Sequence, residues 1–196
     1  MPRAGLTPAA VVDHALELID AHGPESLTLA AVAARAGVAT PSLYKHVPGG
    51  LPELRRLIAV RVTEELAERL AASVVGLGSP QGPSRDEAMT ALLNAYLDYA
   101  EQHPRRYAAL PQAPDQDPER TRAADQLVGV IIAVLNGYGL TGDESVHAAR
   151  TVRSTAHGFA SLSAGGAFQL AANLTVTRER LIRVVVEGLR AWPGTG

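Results

Sequence analysis

The sequence predicts an all-α protein of about nine helices, and three observations support this class. Apolar residues make up 46% of the 196 positions and aromatic residues only 4%. Such a chain is rich in alanine and leucine, which favour helices. Apolar side chains also recur at spacings of three and four along most of the chain. We find no run of alternating β-branched residues bounded by turns, which is the usual signature of a strand.

The first helix is predicted to begin at Pro8, with Thr7 as its N-cap, and to end at Gly23-Pro24. Proline suits the first helical position because its missing N–H would have no partner there. We expect the inner face of this helix to carry an apolar stripe that ends in a core histidine: Val11, Ala15, Leu18, Ile19 and His22.

Two short helices follow, separated by a tight glycine turn. Thr28 is the predicted N-cap of the first, and Gly37 suits the left-handed position that ends it. Thr40 is the predicted cap of the second, with Pro41 as its first residue. Helices this short are not stable alone, so a third helix must pack behind them.

The second short helix is predicted to expose a polar face. Leu43 and Val47 point inward, which leaves four residues pointing outward: Ser42, Tyr44, Lys45 and His46. Lys45 is the only lysine in the chain. A helix, a glycine turn and a second helix form the helix-turn-helix arrangement, whose second helix lies in the major groove of DNA. A plain helical hairpin inside a bundle is the alternative interpretation.

The same residues form a specific pattern: Gly-Val, two residues, Pro-Ser-Leu-Tyr, one residue, His. Within LTLAAVAARAGVATPSLYKHV, which follows a helix ending in AHGPES, this pattern resembles the DNA-binding domain of the tetracycline-repressor (TetR) family of bacterial regulators. The resemblance covers about Leu6 to Leu70. It implies a helix-turn-helix domain over residues 1–50 and a helical ligand-binding and dimerisation domain over 51–196. We expect DNA contacts from Thr28, Thr40, Pro41, Ser42, Tyr44, Lys45, His46 and Arg55.

The chain departs from that family at the start of the fourth helix. Family members commonly grip a phosphate with a lysine there, whereas this chain has Gly49, Gly50 and Leu51. Glycines still allow a phosphate to approach backbone N–H groups closely. Arg55 and Arg56 are the alternative phosphate contacts.

The overall charge is unusual for a nucleic-acid binder, with a formal net charge of −2 and a pI near 6.3. Phosphate contacts need only a local basic or polar face, so this balance does not exclude DNA binding. It does predict modest non-specific affinity and a shallow salt dependence.

The chain has no cysteine, which excludes disulfides and cysteine-ligated zinc. The N-terminal MPRAGL lacks the apolar core of a signal peptide. The longest apolar run, Val128 to Leu135, is far shorter than the roughly 20 residues that span a bilayer. We therefore expect a cytoplasmic protein with no membrane partner and no cofactor.

Six further helices are predicted, with the clearest break in the chain, Gly76 to Ser84, between the first two of them. Ser84 and Glu87 form a capping box at the start of the fifth helix. The seventh is expected to be the most buried, because LVGVIIAVL is apolar on almost every side. The expected extents of the six are 51–75, 85–103, 104–110, 118–138, 143–169 and 177–192.

The resemblance implies a homodimer, because chains of this family pair through their last two long helices. The eighth helix carries a column of small residues that would let another helix approach closely, and the ninth has a broad apolar face. The alternative is that these faces of the eighth and ninth helices pack inside the monomer as part of its core. The predicted interface is Ser154, Gly158, Ser161, Leu162, Gly165, Leu181, Val185 and Leu189.

The resemblance also implies a pocket for a small effector, whose binding shifts the fourth helix and releases the DNA operator. Each pocket candidate has internal packing as its alternative role. Because few of these side chains are charged, we expect a mainly apolar or weakly polar ligand. The candidates are Met89, Tyr96, Tyr99, Tyr107, Leu110, Leu135, Tyr138, His157 and Phe159.

An enzyme is not expected. Glu144 and His147 form half of a di-iron motif, but the sequence has no second such pair. Phosphate-binding loops and nucleophile elbows are absent as well. The resemblance thus implies a dimeric, ligand-responsive repressor, and a symmetric pair of heads would bind a palindromic operator. The alternative is a helical small-molecule-binding or dimerisation module whose DNA binding is weakened or lost.

Overall fold

The computed structural model describes residues 6–110 and 117–192. Within these ranges the chain forms nine α-helices, no strand and one turn of 3₁₀ helix, Pro24–Ser26, so the predicted all-α class is confirmed. None of these helices has the length and apolarity that a membrane crossing requires. Their bounds are α1 Pro8–His22, α2 Leu29–Ala36, α3 Thr40–Leu43, α4 Gly50–Ser73, α5 Arg85–Gln102, α6 Pro104–Ala108, α7 Pro118–Asn136, α8 Gly142–Ala164 and α9 Leu174–Arg190.

Most helix ends follow the predicted local chemistry. The Thr7 hydroxyl accepts a hydrogen bond from the Ala10 N–H at 3.1 Å, and the Thr28 hydroxyl accepts one from the Ala31 N–H at 3.1 Å. Gly37 ends α2 with a left-handed φ of 68°. These three interactions fix both ends of α2 and the start of α1, as predicted.

Other boundaries differ from the prediction. Ala39, not Thr40, caps α3, because Ala39 is the last extended residue and its carbonyl accepts the Ser42 N–H at 2.8 Å. Pro41 is therefore the second helical residue, where its N–H would also lack an intrahelical partner. Asn173 caps α9 through its side chain, so α9 begins earlier than expected. α8 also ends earlier than expected, at Ala164, with Gly165 as its C-cap. His22 is exposed at the end of α1 and is not a core histidine.

The chain forms two compact units. The first contains the described residues of 1–63 and 103–122, which include α1 to α3, the first part of α4, and α6. In this unit α1 packs against both α2 and α6. Because the unit includes residues beyond 50, it does not coincide with the predicted domain division at that position, which stays a prediction. Its fully buried side chains include Val11, Ala15, Val32, Leu43, Val47 and Leu54.

Arginines join α6 to the end of α1. Arg105 donates to the backbone carbonyls of Asp20, at 2.8 Å, and Ala21, which are among the last carbonyls of α1. Arg106 forms an ion pair with the Asp20 carboxylate at 2.6 Å. Cationic groups at a helix C-terminus are favourable because the helix dipole is negative there.

The second unit contains residues 64–102 and the described residues from 123 onward, with α5 in contact with both α8 and α9. α5 buries residues on most of its circumference, namely Ala88, Met89, Leu92, Leu93, Ala95, Tyr96, Leu97, Tyr99 and Ala100. The expectation that α7 is the most buried helix is therefore wrong. α7 buries a single face, and its Gly129 and Ala133 are exposed.

Two polar clusters hold the second unit together. Arg178 of α9 donates to the Asn94 side-chain oxygen at 2.7 Å and pairs with Asp98 of α5 at 2.6 Å. The Tyr138 hydroxyl donates to the Asp86 carboxylate at 2.8 Å, and Arg190 pairs with the same carboxylate at 2.7 Å.

The predicted capping box at the start of α5 is also present. The Ser84 N–H donates to the Glu87 carboxylate, and the Glu87 N–H donates to the Ser84 hydroxyl oxygen.

Candidate nucleic-acid interface

The segment that follows Gly37 exposes a polar face because two apolar side chains fix its orientation. Leu43 and Val47 are both fully buried, and the Val47 N–H donates to the Leu43 carbonyl at 2.9 Å. Regular helix covers only Thr40–Leu43, and residues 44–46 continue it as turns. The predicted polar residues therefore lie on a short, tightly bonded segment.

Exposure varies among the predicted DNA-binding residues. Tyr44 is 50% exposed, although it is one of the larger apolar side chains of the unit. Lys45, Pro41 and Arg55 are also exposed, whereas Thr40, Ser42 and His46 are half-buried. Thr28 is exposed at the start of α2, but its hydroxyl already caps that helix. The structure thus leaves Tyr44 and Lys45 as the most accessible side chains of the recognition segment, residues 40–46.

Most arginines near this segment are neutralised within the first unit. Arg35 pairs with Glu17 at 2.7 Å, and the hydrogen bond from Arg35 holds the pKa of the Glu17 carboxyl below its usual range. Arg61 pairs with Asp13 at 3.5 Å.

Arg56 is engaged by two carboxylates. It lies 2.7 Å from Glu119 and 3.3 Å from Asp117, and these contacts raise its pKa, with the Glu119 hydrogen bond as the main cause. The structure therefore does not support Arg56 as a phosphate contact. By contrast, Lys45 and Arg55 form no ion pair with the part of the chain that the structure describes.

The start of α4 is organised by two glycines and a carboxylate. The Gly49 N–H donates to Glu53 Oε2 at 2.6 Å. This amide is therefore not available to a phosphate, contrary to the expectation from the sequence. Gly50 has a φ of 68°, and a Cβ at this position would lie 3.5 Å from Cε1 of the Tyr44 ring. A lysine at position 50 would be strained because side chains disfavour this backbone conformation. The role of Glu53 was missed, although its position four residues after Gly49 is visible in the sequence.

A cavity of about 840 Å³ lies in the first unit beside the start of α4. Its wall combines apolar side chains such as Ile19, Leu27 and Ile58 with the charged groups of Arg55 and Glu53. None of the predicted effector-pocket residues lines it.

The predicted effector-pocket residues are mostly used in packing. Met89, Tyr96, Tyr99, Tyr107 and Leu135 are buried, whereas Leu110, Tyr138, His157 and Phe159 are half-buried. The Tyr99 hydroxyl donates to Glu65 at 3.1 Å, and the Phe159 and Phe168 rings lie 5.4 Å apart. Burial lowers the pKa of His157, and Arg153 lowers it further. Tyr107 and Leu110 belong to the first unit and the other candidates to the second, so the predicted pocket stays a prediction.

The predicted dimer residues include both exposed and buried positions. Ser154, Ser161, Leu162 and Gly165 are exposed and Gly158 is half-buried, which leaves the small-residue column of α8 accessible. On α9, Val185 and Leu189 are buried and Leu181 is half-buried. These three side chains line a groove of about 490 Å³ between α8 and α9, together with Thr151, Thr155, Val184, Gly188 and Trp192.

Glu144, which with His147 forms half of a di-iron motif, is hydrogen-bonded to a tryptophan in the structure. Its carboxylate accepts the Trp192 indole N–H at 2.7 Å, which joins the start of α8 to the end of α9. Among the described residues, no three acidic or histidine side chains gather in a way that could hold a metal ion.

Comparison with known proteins agrees with this arrangement. A family model described as "Bacterial regulatory proteins, tetR family" matches residues 3–48, and one described as "Tetracyclin repressor-like, C-terminal domain" matches residues 89–185. The solved structure of TetR-Q116A from Acinetobacter baumannii AYE in complex with minocycline has a TM-score of 0.73. It is 18% identical, with 97% of this chain and 100% of that chain covered, and this likeness shows the fold.

Two curated relatives are much closer in sequence. Rv0681 of Mycobacterium tuberculosis, an uncharacterized HTH-type transcriptional regulator, is 38% identical over 165 residues, 83% of this chain and 72% of its own length. YobS of Bacillus subtilis, described in the same words, is 36% identical over 191 residues, 96% of this chain and 95% of its own length. Both are named as regulators, and members of their family are not enzymes, as predicted. The chain therefore belongs to the TetR family of bacterial transcriptional regulators.

Proposed function

We propose that this regulator is a repressor that binds a palindromic operator as a homodimer and is released when a small molecule binds its C-terminal domain. The base-reading side chains are those of the recognition segment, above all Tyr44 and Lys45. Thr28, Thr40, Pro41, Ser42, His46 and Arg55 complete the contact surface. The protein acts in the cytoplasm, where its operator is.

One observation carries the DNA-binding part of this proposal. Leu43 and Val47 are fully buried, and between them Tyr44 is 50% exposed and Lys45 has no acidic partner among the described residues. An exposed phenol and an unpaired ammonium on a segment held this firmly suit hydrogen bonds to base edges and phosphates.

The homodimer is supported by the α8–α9 surface. Val184 is 71% exposed beside the 490 Å³ groove, and Leu162 is 50% exposed on α8. Apolar side chains this exposed are stabilised when a second copy covers them. A twofold pair of heads would also match the symmetry of a palindromic site.

An effector is supported by analogy. The related fold of TetR-Q116A was solved with minocycline. The half-buried side chains of Tyr138, His157 and Phe159 would offer a mainly apolar ligand a few polar groups, which is the usual composition of a small-molecule site. Release then follows if the ligand prefers a conformation that binds the operator poorly.

A second candidate function is a ligand-binding or dimerisation module with weakened DNA binding. It is favoured by the neutralisation of Arg35, Arg56 and Arg61 by carboxylates of the same unit. This leaves few cations to hold a phosphate backbone.

A mobility-shift assay separates the two candidates. The purified protein is incubated with the DNA that flanks its own gene, and with a scrambled fragment of equal length, at low and at physiological salt. We expect retardation of the flanking fragment that survives competition by the scrambled one. No retardation even at low salt would leave only the second candidate.

A further inference from the structure

Glu53 places a carboxylate at the edge of the proposed DNA-binding surface. It lies in the first turn of α4, and its Oε2 accepts the Gly49 N–H at 2.6 Å. The next residue, Gly50, lies against the ring of Tyr44, with 3.5 Å between its Cβ position and Cε1. The carboxylate is therefore fixed close to the residue that we expect to contact DNA.

We propose that Glu53 lowers the affinity of this surface for all DNA by repelling the phosphate backbone. This inference rests on the proposed DNA-binding function. Because backbone charge is present in every sequence, the repulsion penalises all DNA equally. Only an operator that supplies favourable base contacts to the recognition segment offsets that penalty.

The local charge balance makes this effect significant. Arg35, Arg56 and Arg61 are each paired with a carboxylate, so Lys45 and Arg55 are the cations of this surface that lack an acidic partner within the described residues. One unpaired carboxylate next to two such cations cancels about half of their local charge. The interaction acts within roughly 10 Å at moderate salt, which is the Debye length.

Glu53 also caps α4, and the two roles are separable by chemistry. A carboxylate and a carboxamide both offer an oxygen that accepts the Gly49 N–H. Glu53→Gln therefore keeps the hydrogen bond and removes the charge. Glu53→Ala removes both and serves as the second variant.

The matched control is Glu68→Gln, which makes the same charge change on the same helix. Glu68 is exposed, forms no ion pair with the described residues, and belongs to the second unit rather than to the unit that carries the recognition segment.

The test measures dissociation constants for the flanking DNA and for a scrambled fragment, by fluorescence anisotropy at low salt. Coulomb's law in water gives a factor of about 2.4 for one pair of charges roughly 8 Å apart, so a dimer with two such heads should gain about sixfold. We expect Glu53→Gln to tighten binding to the scrambled fragment by about this factor, and Glu68→Gln to leave it within experimental error of the wild type. Thermal unfolding should be unchanged in Glu53→Gln and lowered in Glu53→Ala.

Two results would overturn the proposal, and they differ. If the wild type binds the flanking DNA specifically but Glu53→Gln binds the scrambled fragment no more tightly than Glu68→Gln, Glu53 is only a helix cap. If neither the wild type nor any variant binds DNA at low salt, the proposed DNA-binding function fails and this inference fails with it.

Discussion

The Tyr44 ring packs against Gly50: a Cβ at position 50 would lie 3.5 Å from Cε1 of the ring, and Gly50 has a φ of 68°. Leu29, at the start of α2, meets the same point, with its Cδ1 3.8 Å from that Cβ position. Gly50, the first residue of α4, therefore lies close to both the Tyr44 ring and the Leu29 side chain. A side chain at position 50 would therefore fit in the available space, because 3.5 Å is an ordinary van der Waals separation. It is the left-handed backbone conformation that favours glycine at this position.

Gly50→Ala is expected to lower the free energy of unfolding by about 1 kcal/mol, because alanine disfavours a left-handed backbone. The control is Gly129→Ala, in the middle of α7, where nothing lies within 4 Å of the Cβ position and alanine favours the helix. That substitution should raise the same quantity by up to about 1 kcal/mol. Urea unfolding followed by circular dichroism measures both. Equal shifts in the two variants would mean that Gly50 is not conformationally required.

Local interactions account for what the sequence predicted correctly. The caps at Thr7 and Thr28 and the turn at Gly37 each involve residues no more than four positions apart, so the residue types alone indicate them. The error in the N-cap of α3 is also local, because Ala39 and Thr40 are adjacent and the prediction chose the residue with the capping side chain. Ala39 takes that position through its extended backbone, without a side-chain contact.

Long-range pairing accounts for what the sequence missed. Arg56 meets Glu119 across 63 positions, and no local pattern predicts that this arginine is neutralised. The apolar sequence of α7 likewise did not reveal which helix lies at the centre of the second unit, since α5 has a weaker apolar run but packs against both α8 and α9. The predicted DNA contacts rest on a local motif, and they stay predictions.

Lys45→Ala is expected to flatten the salt dependence of DNA binding. Each phosphate contact contributes a slope of about −0.9 to the logarithmic plot, so losing two lysines from a dimer should reduce its steepness by about 1.8. Arg35→Ala is the control, because Arg35 is paired with Glu17 at 2.7 Å and should contact no phosphate. Dissociation constants at several salt concentrations supply the slopes. A slope that Lys45→Ala leaves unchanged would place this side chain away from the backbone.

Asp86→Asn is expected to remove stability at neutral pH but not in acid. The hydrogen bond from Arg190 is the main cause that lowers the pKa of Asp86 in the folded protein, whereas the unfolded value is about 3.9. The stabilisation is therefore present above about pH 4 and is lost as the pH falls through the lower folded pKa. We expect a loss of about 1 kcal/mol at pH 7, shrinking toward zero below about pH 3.

The matched control for this pH dependence is Asp125→Asn. Asp125 is exposed on α7 and forms no ion pair with the described residues. Urea unfolding of the wild type and both variants between pH 3 and pH 7 measures the effect. A deficit in Asp86→Asn that stays constant across this range would show that the ion pair with Arg190 is not its origin.

Val184→Glu is expected to convert the proposed homodimer into a monomer. A charge beside the α8–α9 groove would be buried without a partner if a second copy packs there, and such burial is strongly unfavourable. The control is Val75→Glu, which changes a valine that is 76% exposed, against 71% for Val184, but lies outside that groove. Light scattering after size-exclusion chromatography gives the masses. A Val184→Glu protein that stays dimeric would exclude this groove from the interface.

DNA reading by the recognition segment is tested most directly by the affinity of Tyr44→Ala for the DNA that flanks the gene, measured by fluorescence anisotropy beside the wild type. Tyr44 is 50% exposed, so its removal should leave the fold and the dimer intact, as sizing chromatography will check. We expect specific binding by the wild type and a loss of affinity of at least about tenfold in Tyr44→Ala, the effect of removing one good base contact. Equal affinities for the two proteins would contradict it, because the exposed face of residues 40–46 would then not be what reads the DNA.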